Sequence, residues 1–166
     1  MTPEQPVQPE QPRSTLERSR EARIEALKAA AAARILVLDG AWGAQIQEHR
    51  LTEEQFRGER FAEHPLPLKG NNDILCLTRP ELISELIGAY LDAGADVVST
   101  NTFTSTAIAQ ADYGTEAYAH DLNLAAARLA RAAADSFTVA NPAKPRWVAG
   151  SIGPTNRTLS MSADVN

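Results

Sequence analysis

Three short apolar runs in this chain end in turns rich in Gly, Asn and Thr: ILVLDGAWG at 35–43, DVVSTNTF at 96–103 and RWVAGSIGPTN at 146–156. No other feature restricts the fold as tightly. A strand covered by helices on both faces reads as a nearly continuous Val/Ile/Leu run, without the alternation of a half-exposed strand. Residues just beyond the C-terminal ends of such strands line the pocket of a parallel βα barrel, and glycine there lets backbone approach a ligand closely. The expected fold is therefore α/β: about three βα units, the N-terminal part of a (β/α)8 TIM barrel. A closed barrel needs eight such units, so three leave two open sheet edges. The isolated chain is accordingly expected to be marginally stable or to aggregate.

Composition narrows the function. The 166 residues are enough for one domain with a real core. Net charge is −5 with no cluster of Lys or Arg, which argues against a nucleic-acid surface. No apolar run approaches the ~18 residues that span a bilayer. The N-terminus is acidic and rich in Pro and Gln, with no signal-peptide core, so the expected location is cytoplasmic. The single cysteine, Cys76, sits in the apolar run DILCLT and reads as buried filler. His49, His64 and His120 stand at no metal-ligand spacing, and no metal site is expected.

Along the chain, Pro3, Pro6, Pro9 and Pro12 recur every third residue, which marks 1–14 as an extended, disordered leader. The remainder, 15–166, is expected to form one partial barrel domain. Residues 15–33 predict a helix rich in Ala, Glu and Arg with a narrow stripe at Ile24 and Leu27, in the manner of a lid under a sheet. Glu25 and Lys28 are spaced to pair across one turn. The first strand is expected at Ile35–Leu38. A long connection follows over 44–77, where Pro65, Pro67 and the Gly70-Asn71-Asn72-Asp73 turn argue against regular structure. Thr78 with Glu81 reads as a capping box opening a helix that carries Leu82, Ile83, Leu86, Ile87, Tyr90 and Leu91 on one face. Gly94 should end it in a left-handed cap. Strand Asp96–Thr100, a short helical turn within 105–112, a long helix over 116–136, a return loop at 141–145 and strand Trp147–Ile152 complete the pattern.

Nucleophile, phosphate-loop and dinucleotide motifs are absent. The chemistry on offer lies at strand ends. Asp39 beside Gly40 suits a ligand ammonium group, or else an Asx turn that ties down its own loop. Asn101 and Thr102 suit a carboxylate or amide. Ser151, Thr155 and Asn156 close the third strand. Trp42 reads equally as core or as pocket wall, and Arg157 as a solvated rim residue.

Four blocks in order, LDGAWGAQIQ, KGNNDILCLTRPELI, YLDAGADVVSTNTFTSTAIAQADYG and KPRWVAGSIGPTNRTLSMSADVN, resemble the homocysteine S-methyltransferases. Within that family they are most similar to the N-terminal homocysteine-binding module of cobalamin-dependent methionine synthase. K-G-N-N-D and G-P-T-N-R-T favour that branch over enzymes using other donors. The likeness runs from about residue 34 to the last residue. It implies a (β/α)8 barrel in which Asp39, Gly40 and Gly43 belong to the homocysteine pocket, with Asn101 and Thr102 beside it. It also implies zinc, held by cysteines in G-x-N-C and G-G-C-C blocks that this sequence lacks. The methyl group would come from methylcobalamin, recharged by methyltetrahydrofolate on further modules. By resemblance the chain is an N-terminal fragment that binds no cofactor of its own and is inactive alone. Two other readings stay open: a non-catalytic small-amino-acid binding or assembly protein, and a homocysteine methyltransferase with another donor.

Overall fold

The computed structural model describes residues 15–155, with side chains from residue 19 onward. The leader at 1–14, Asn156, Arg157 and the tail to 166 lie outside the described residues. The chain divides between Ile35 and Leu36 into two compact units. In the first, helix α1 spans Thr15–Ala33. Its Lys28 ammonium meets the Glu25 carboxylate at 2.8 Å, the pairing expected from their spacing, although both side chains are largely exposed.

The second unit holds the core. After an irregular stretch at 39–41 come α2 (Trp42–Glu48) and α3 (Glu53–Arg57). A turn of 3-10 helix at Asn72–Ile74 leads directly into α4 (Leu75–Thr78), followed by α5 (Pro80–Asp92) and strand β1 (Val97–Ser99). Then come α6 (Ala107–Gln110), two further 3-10 turns, α7 (Ala119–Ala140) and strand β2 (Trp147–Ala149). The two strands pair in parallel, Val97 with Trp147, Val98 with Val148 and Ser99 with Ala149. The connection between them carries α7, as parallel pairing requires a long crossover.

The core is where α4, α5 and α7 meet the sheet. Leu82, Ile83, Leu86, Ile87 and Leu91 of α5 are buried, the face expected from their spacing. Helix α7 answers with Leu122, Ala126, Ala130 and Ala134, buried at four-residue steps. A stripe of alanines lets a helix approach its neighbours closely. Val98 of β1 is fully buried in the same cluster.

Several local expectations are corrected. The run 35–38 does not form a full strand. It joins the sheet by a single parallel bridge, Leu38 to Val97, with Asp96 N–H and Val97 N–H donating to the Val37 carbonyl and Asp39 N–H to the Val97 carbonyl. It pairs on one side only, and Val37 and Leu38 stay more than half exposed. Strand β2 stops at Ala149, short of Ile152. Past that point the ladder passes to side chains, with Ser151 N–H donating to the Thr100 hydroxyl.

Thr78 is not a helix cap. It closes α4, and its hydroxyl donates back to the Ile74 carbonyl. The residue before α5 is Arg79, with no side-chain cap, and Pro80 begins the helix. Glu81 pairs with the Arg79 guanidinium at 2.8 Å. The capping box lies instead at Thr52 and Gln55. The 44–77 connection is substantially helical, because apolar residues on these short helices, Ile46, Phe56, Leu75 and Cys76, are buried in the core. The end of α5 is as expected: Gly94 has φ +110°. Ala95 N–H reaches the Tyr90 carbonyl and Gly94 N–H the Leu91 carbonyl, a Schellman motif.

Candidate functional site

A cavity of about 310 Å³ opens past the C-terminal ends of β1 and β2. Four stretches wall it. Trp42 and Gly43 come from the start of α2, and Gly70, Asn72 and Asp73 from the turn before α4. Thr100, Asn101, Phe103 and Thr104 follow β1, and Ser151 follows β2. Its volume falls at the lower end of the ~300–1,000 Å³ range of small-molecule pockets.

The rim is fixed by side chains bonding to backbone. Thr100 and Thr102 hydroxyls lie 2.6 Å apart. Thr102 donates to the Ser151 carbonyl at 2.8 Å, and Ser151 N–H returns to Thr100 Oγ1 at 3.0 Å. The three bonds close a ring that locks the ends of both strands together. Behind the rim, Asn71 and Gln110 are buried and exchange amide bonds of 2.8 and 3.2 Å, and Thr115 donates to Gln110 Oε1 at 2.6 Å. Buried polar groups satisfied in this way hold the two loops in one geometry.

The five pocket residues expected from the resemblance, Asp39, Gly40, Gly43, Asn101 and Thr102, each have a definite place. Gly43 and Asn101 wall the cavity. Asn101 Nδ2 donates to the Asn72 carbonyl at 2.8 Å, and the Cys76 thiol sits against the Asn101 carbonyl at 3.6 Å. Thr102 is buried in the hydroxyl ring behind the wall. Asp39 and Gly40 are not among the lining residues. The Asp39 carboxylate accepts from Ser99 N–H at 2.9 Å, the Ser99 hydroxyl at 2.9 Å and Trp42 Nε1 at 3.1 Å. It therefore stitches the first run to β1 and orients the Trp42 indole, which also reaches Ser99 Oγ at 2.9 Å. Trp42, read equally as core or wall, is partly buried against the core and lines the cavity as well.

Sequence reasoning treated Asp73 only as part of a turn. The structure buries it to 3% exposure at the cavity wall. Its Oδ2 accepts from the Ser105 hydroxyl at 2.7 Å and Thr104 N–H at 2.8 Å. Burial pushes its carboxyl above the usual range, and the Ser105 hydroxyl, the Thr104 N–H and the Thr104 side chain only partly offset the loss of water. The available signal was its place directly before the apolar run Ile74-Leu75-Cys76.

No group of three or more His, Cys, Asp or Glu that could hold a metal ion occurs among the described residues. Cys76 is buried, and desolvation pushes its thiol up to about 12, so it is not a thiolate near neutral pH. These residues do not fit a zinc ion. No described helix is long and apolar enough to cross a membrane.

Comparison with known proteins agrees with this architecture. The chain resembles the homocysteine methyltransferase MmuM from Escherichia coli in its metallated form, with TM-score 0.59 and 26% identity, over 77% of this chain and 41% of that one. The oxidized form matches with TM-score 0.54 and 29% identity, over 72% of this chain and 37% of that one. The chain thus spans about two fifths of the length of these relatives. The family model for homocysteine S-methyltransferase matches residues 36–166, the whole of the second unit, and the chain belongs to that family.

Proposed function

We propose that the cavity beyond β1 and β2 is part of a homocysteine pocket, in the N-terminal portion of a (β/α)8 methionine synthase. The observation that carries this reading is the coincidence of a rigid polar cavity at the strand C-termini with the family match over residues 36–166. Ligands of βα barrels bind at that face. Gly43 gives the ligand close access to backbone at the start of α2, and Asn101 supplies amide contacts. Asp39, Gly40 and Thr102 shape the wall from behind.

In this reading the whole enzyme transfers a methyl group from methylcobalamin to the homocysteine thiol. Zinc lowers the thiol pKa in such enzymes, and its ligands, like the cobalamin and methyltetrahydrofolate modules, come from outside the described residues. The residues here bind and orient the amino-acid portion of the substrate. K-G-N-N-D, which builds the wall from Gly70 to Asp73, and G-P-T-N-R-T support the cobalamin-dependent branch. The domain would run over 15–166 behind a leader at 1–14, in the cytoplasm.

Titration calorimetry of this chain with L-homocysteine tests the pocket. Saturable binding, with amide NMR shifts confined to residues 42–43, 70–73 and 100–104, is the expected result. Absence of both would sink the reading. Donor choice is tested separately, by supplying the full-length enzyme with methylcobalamin or with a sulfonium or betaine donor and measuring methionine. Turnover with the latter alone would rule out the methionine synthase branch.

A further inference from the structure

A second cavity, of about 430 Å³, shares Gly70 and Asn72 with the strand-end cavity. Ile46 of α2, Leu51 of the turn after it and Phe56 of α3 give it an apolar wall, and all three are buried in the core. Gln47, Arg50 and Lys69 line it too, and these are exposed. No described residue of the lining is acidic. The side chains of Arg50 and Lys69 make no hydrogen bond or ion pair among the described residues. Glu53, which accepts from Lys69 N–H, already has Arg57 as its cation. The strand-end cavity is the reverse case, lined by Asp73 and by no described cation.

The backbone at Arg50 adds a second observation. It follows α2 with φ +47°, in the left-handed region. Glycine is the ordinary residue there, because a Cβ is disfavoured. Arg50 N–H donates to the Gln47 carbonyl at 3.0 Å, so the turn is complete without the side chain. A guanidinium held at a strained position, and unused by the turn, is available to a partner in the cavity.

We infer that this cavity is a second binding site, for a small amphipathic anion. Its apolar body would lie against Ile46, Leu51 and Phe56, and its acidic head would meet Arg50 and Lys69. The site does not depend on the homocysteine reading. Homocysteine carries an ammonium beside its carboxylate, which two cations repel.

The experiment is an NMR titration of the whole chain with 4-phenylbutanoate and with its neutral counterpart, 4-phenylbutan-1-ol. Two solvent-exposed charge contacts correspond to roughly 5- to 30-fold in affinity. The wild type should prefer the anion by that factor, with amide shifts confined to residues 46–51, 56 and 69–72. Salt at about 0.5 M should remove most of the preference, because exposed charges are screened. R50G removes the strain together with the guanidinium. Its urea midpoint should not fall, while its preference for the anion should drop about 2- to 5-fold. R50G/K69Q should bind both ligands equally. Failure of 4-phenylbutanoate to bind overturns the site and leaves the homocysteine pocket standing. Equal binding of the two ligands by the wild type overturns it as well, as does a folded double variant that keeps the preference. Should the double variant not fold, the wild type decides. A salt-sensitive preference with shifts at those residues supports the site, and shifts elsewhere overturn it. The same titration on the full-length enzyme should give the same preference, and loss of binding there overturns the site.

Discussion

Replacing Glu53 with Gln should loosen the whole loop that carries the cavity's Gly70–Asp73 wall. Glu53 is a first-turn residue of α3, and its carboxylate reaches across the chain. Oε1 accepts from Leu68 N–H at 2.8 Å and Arg57 Nε at 2.7 Å, and Oε2 accepts from Lys69 N–H at 2.8 Å. Arg57 then donates to the carbonyls of His64 and Leu66, so the two side chains bind the 64–69 loop from both ends. Leu68 is fully buried, so its N–H is the one that water replaces least well. A bond from it to a charged acceptor contributes about 1.5–3 kcal/mol. The Arg57 pair, an i,i+4 pair near the surface, adds only about 0.3–0.5 kcal/mol. Gln keeps one acceptor and turns an amide N–H₂ toward a donor, so the net loss is about 2–3 kcal/mol. With a urea m-value of about 1–3 kcal/mol/M, the midpoint should fall by roughly 0.7–3 M. The effect carries a pH signature. Burial pushes the Glu53 carboxyl up, but the two backbone donors and Arg57 outweigh it and hold the pKa below 4.5. The unfolded chain therefore takes up the proton first as pH falls. The gap between wild type and E53Q should be full above about pH 4.5 and close below it. Equal urea midpoints at pH 7, or a gap unchanged down to pH 3, would refute the assignment.

Four further outcomes follow from local geometry. A Cβ at Gly153 would lie 2.6 Å from the Phe103 carbonyl oxygen, so G153A should force the segment after β2 off the rim. A loss of about 1–3 kcal/mol in thermal or urea melts checks it. G94A places a side chain at φ +110° in the α5 Schellman turn and should cost about 1–3 kcal/mol in the same melts. Truncating Leu122, fully buried on α7, to Ala should cost about 2–5 kcal/mol with no change in the α-helical CD signal below the transition. Native Cys76 should resist iodoacetamide at pH 8 and react only in denaturant, because burial pushes its thiol up to about 12; mass spectrometry reads the adduct, and rapid native labelling would contradict the burial.

The helices were legible because their signals are local. The α5 face from Leu82 to Leu91 and its glycine stop are written in side-chain spacing, and both stand in the structure. Strand extent was less legible, because it depends on partners far along the chain. Val37 and Leu38 carry the composition of a buried strand, yet they meet only one neighbour and form one bridge. Thr78-x-x-Glu81 and Thr52-x-x-Gln55 are the same motif by sequence. Context separated them: α4 runs through Thr78 and occupies its hydroxyl with the Ile74 carbonyl, while Thr52 follows a break and is free to cap.

The site shows the same division. The strand-end rule picked out Gly43 and Asn101, which line the cavity, because it needs only the position of a turn after an apolar run. It equally picked out Asp39, whose carboxylate is occupied by Ser99 and Trp42, since a rule about position carries no information about which donors a carboxylate meets. Asp73 escaped it by lying on the connection between the first run and α5, at the head of a helical turn that packs inward. The 310 Å³ cavity therefore combines two sources: strand ends that the sequence announces, and a helical connection that only folding brings to the rim. The buried Asn71–Gln110–Thr115 network joins them, and each of its amides bonds a residue at least five positions away. Polar side chains spent on holding loops in one geometry are the mark of a binding surface fixed before its ligand arrives, which lowers the ordering cost of binding.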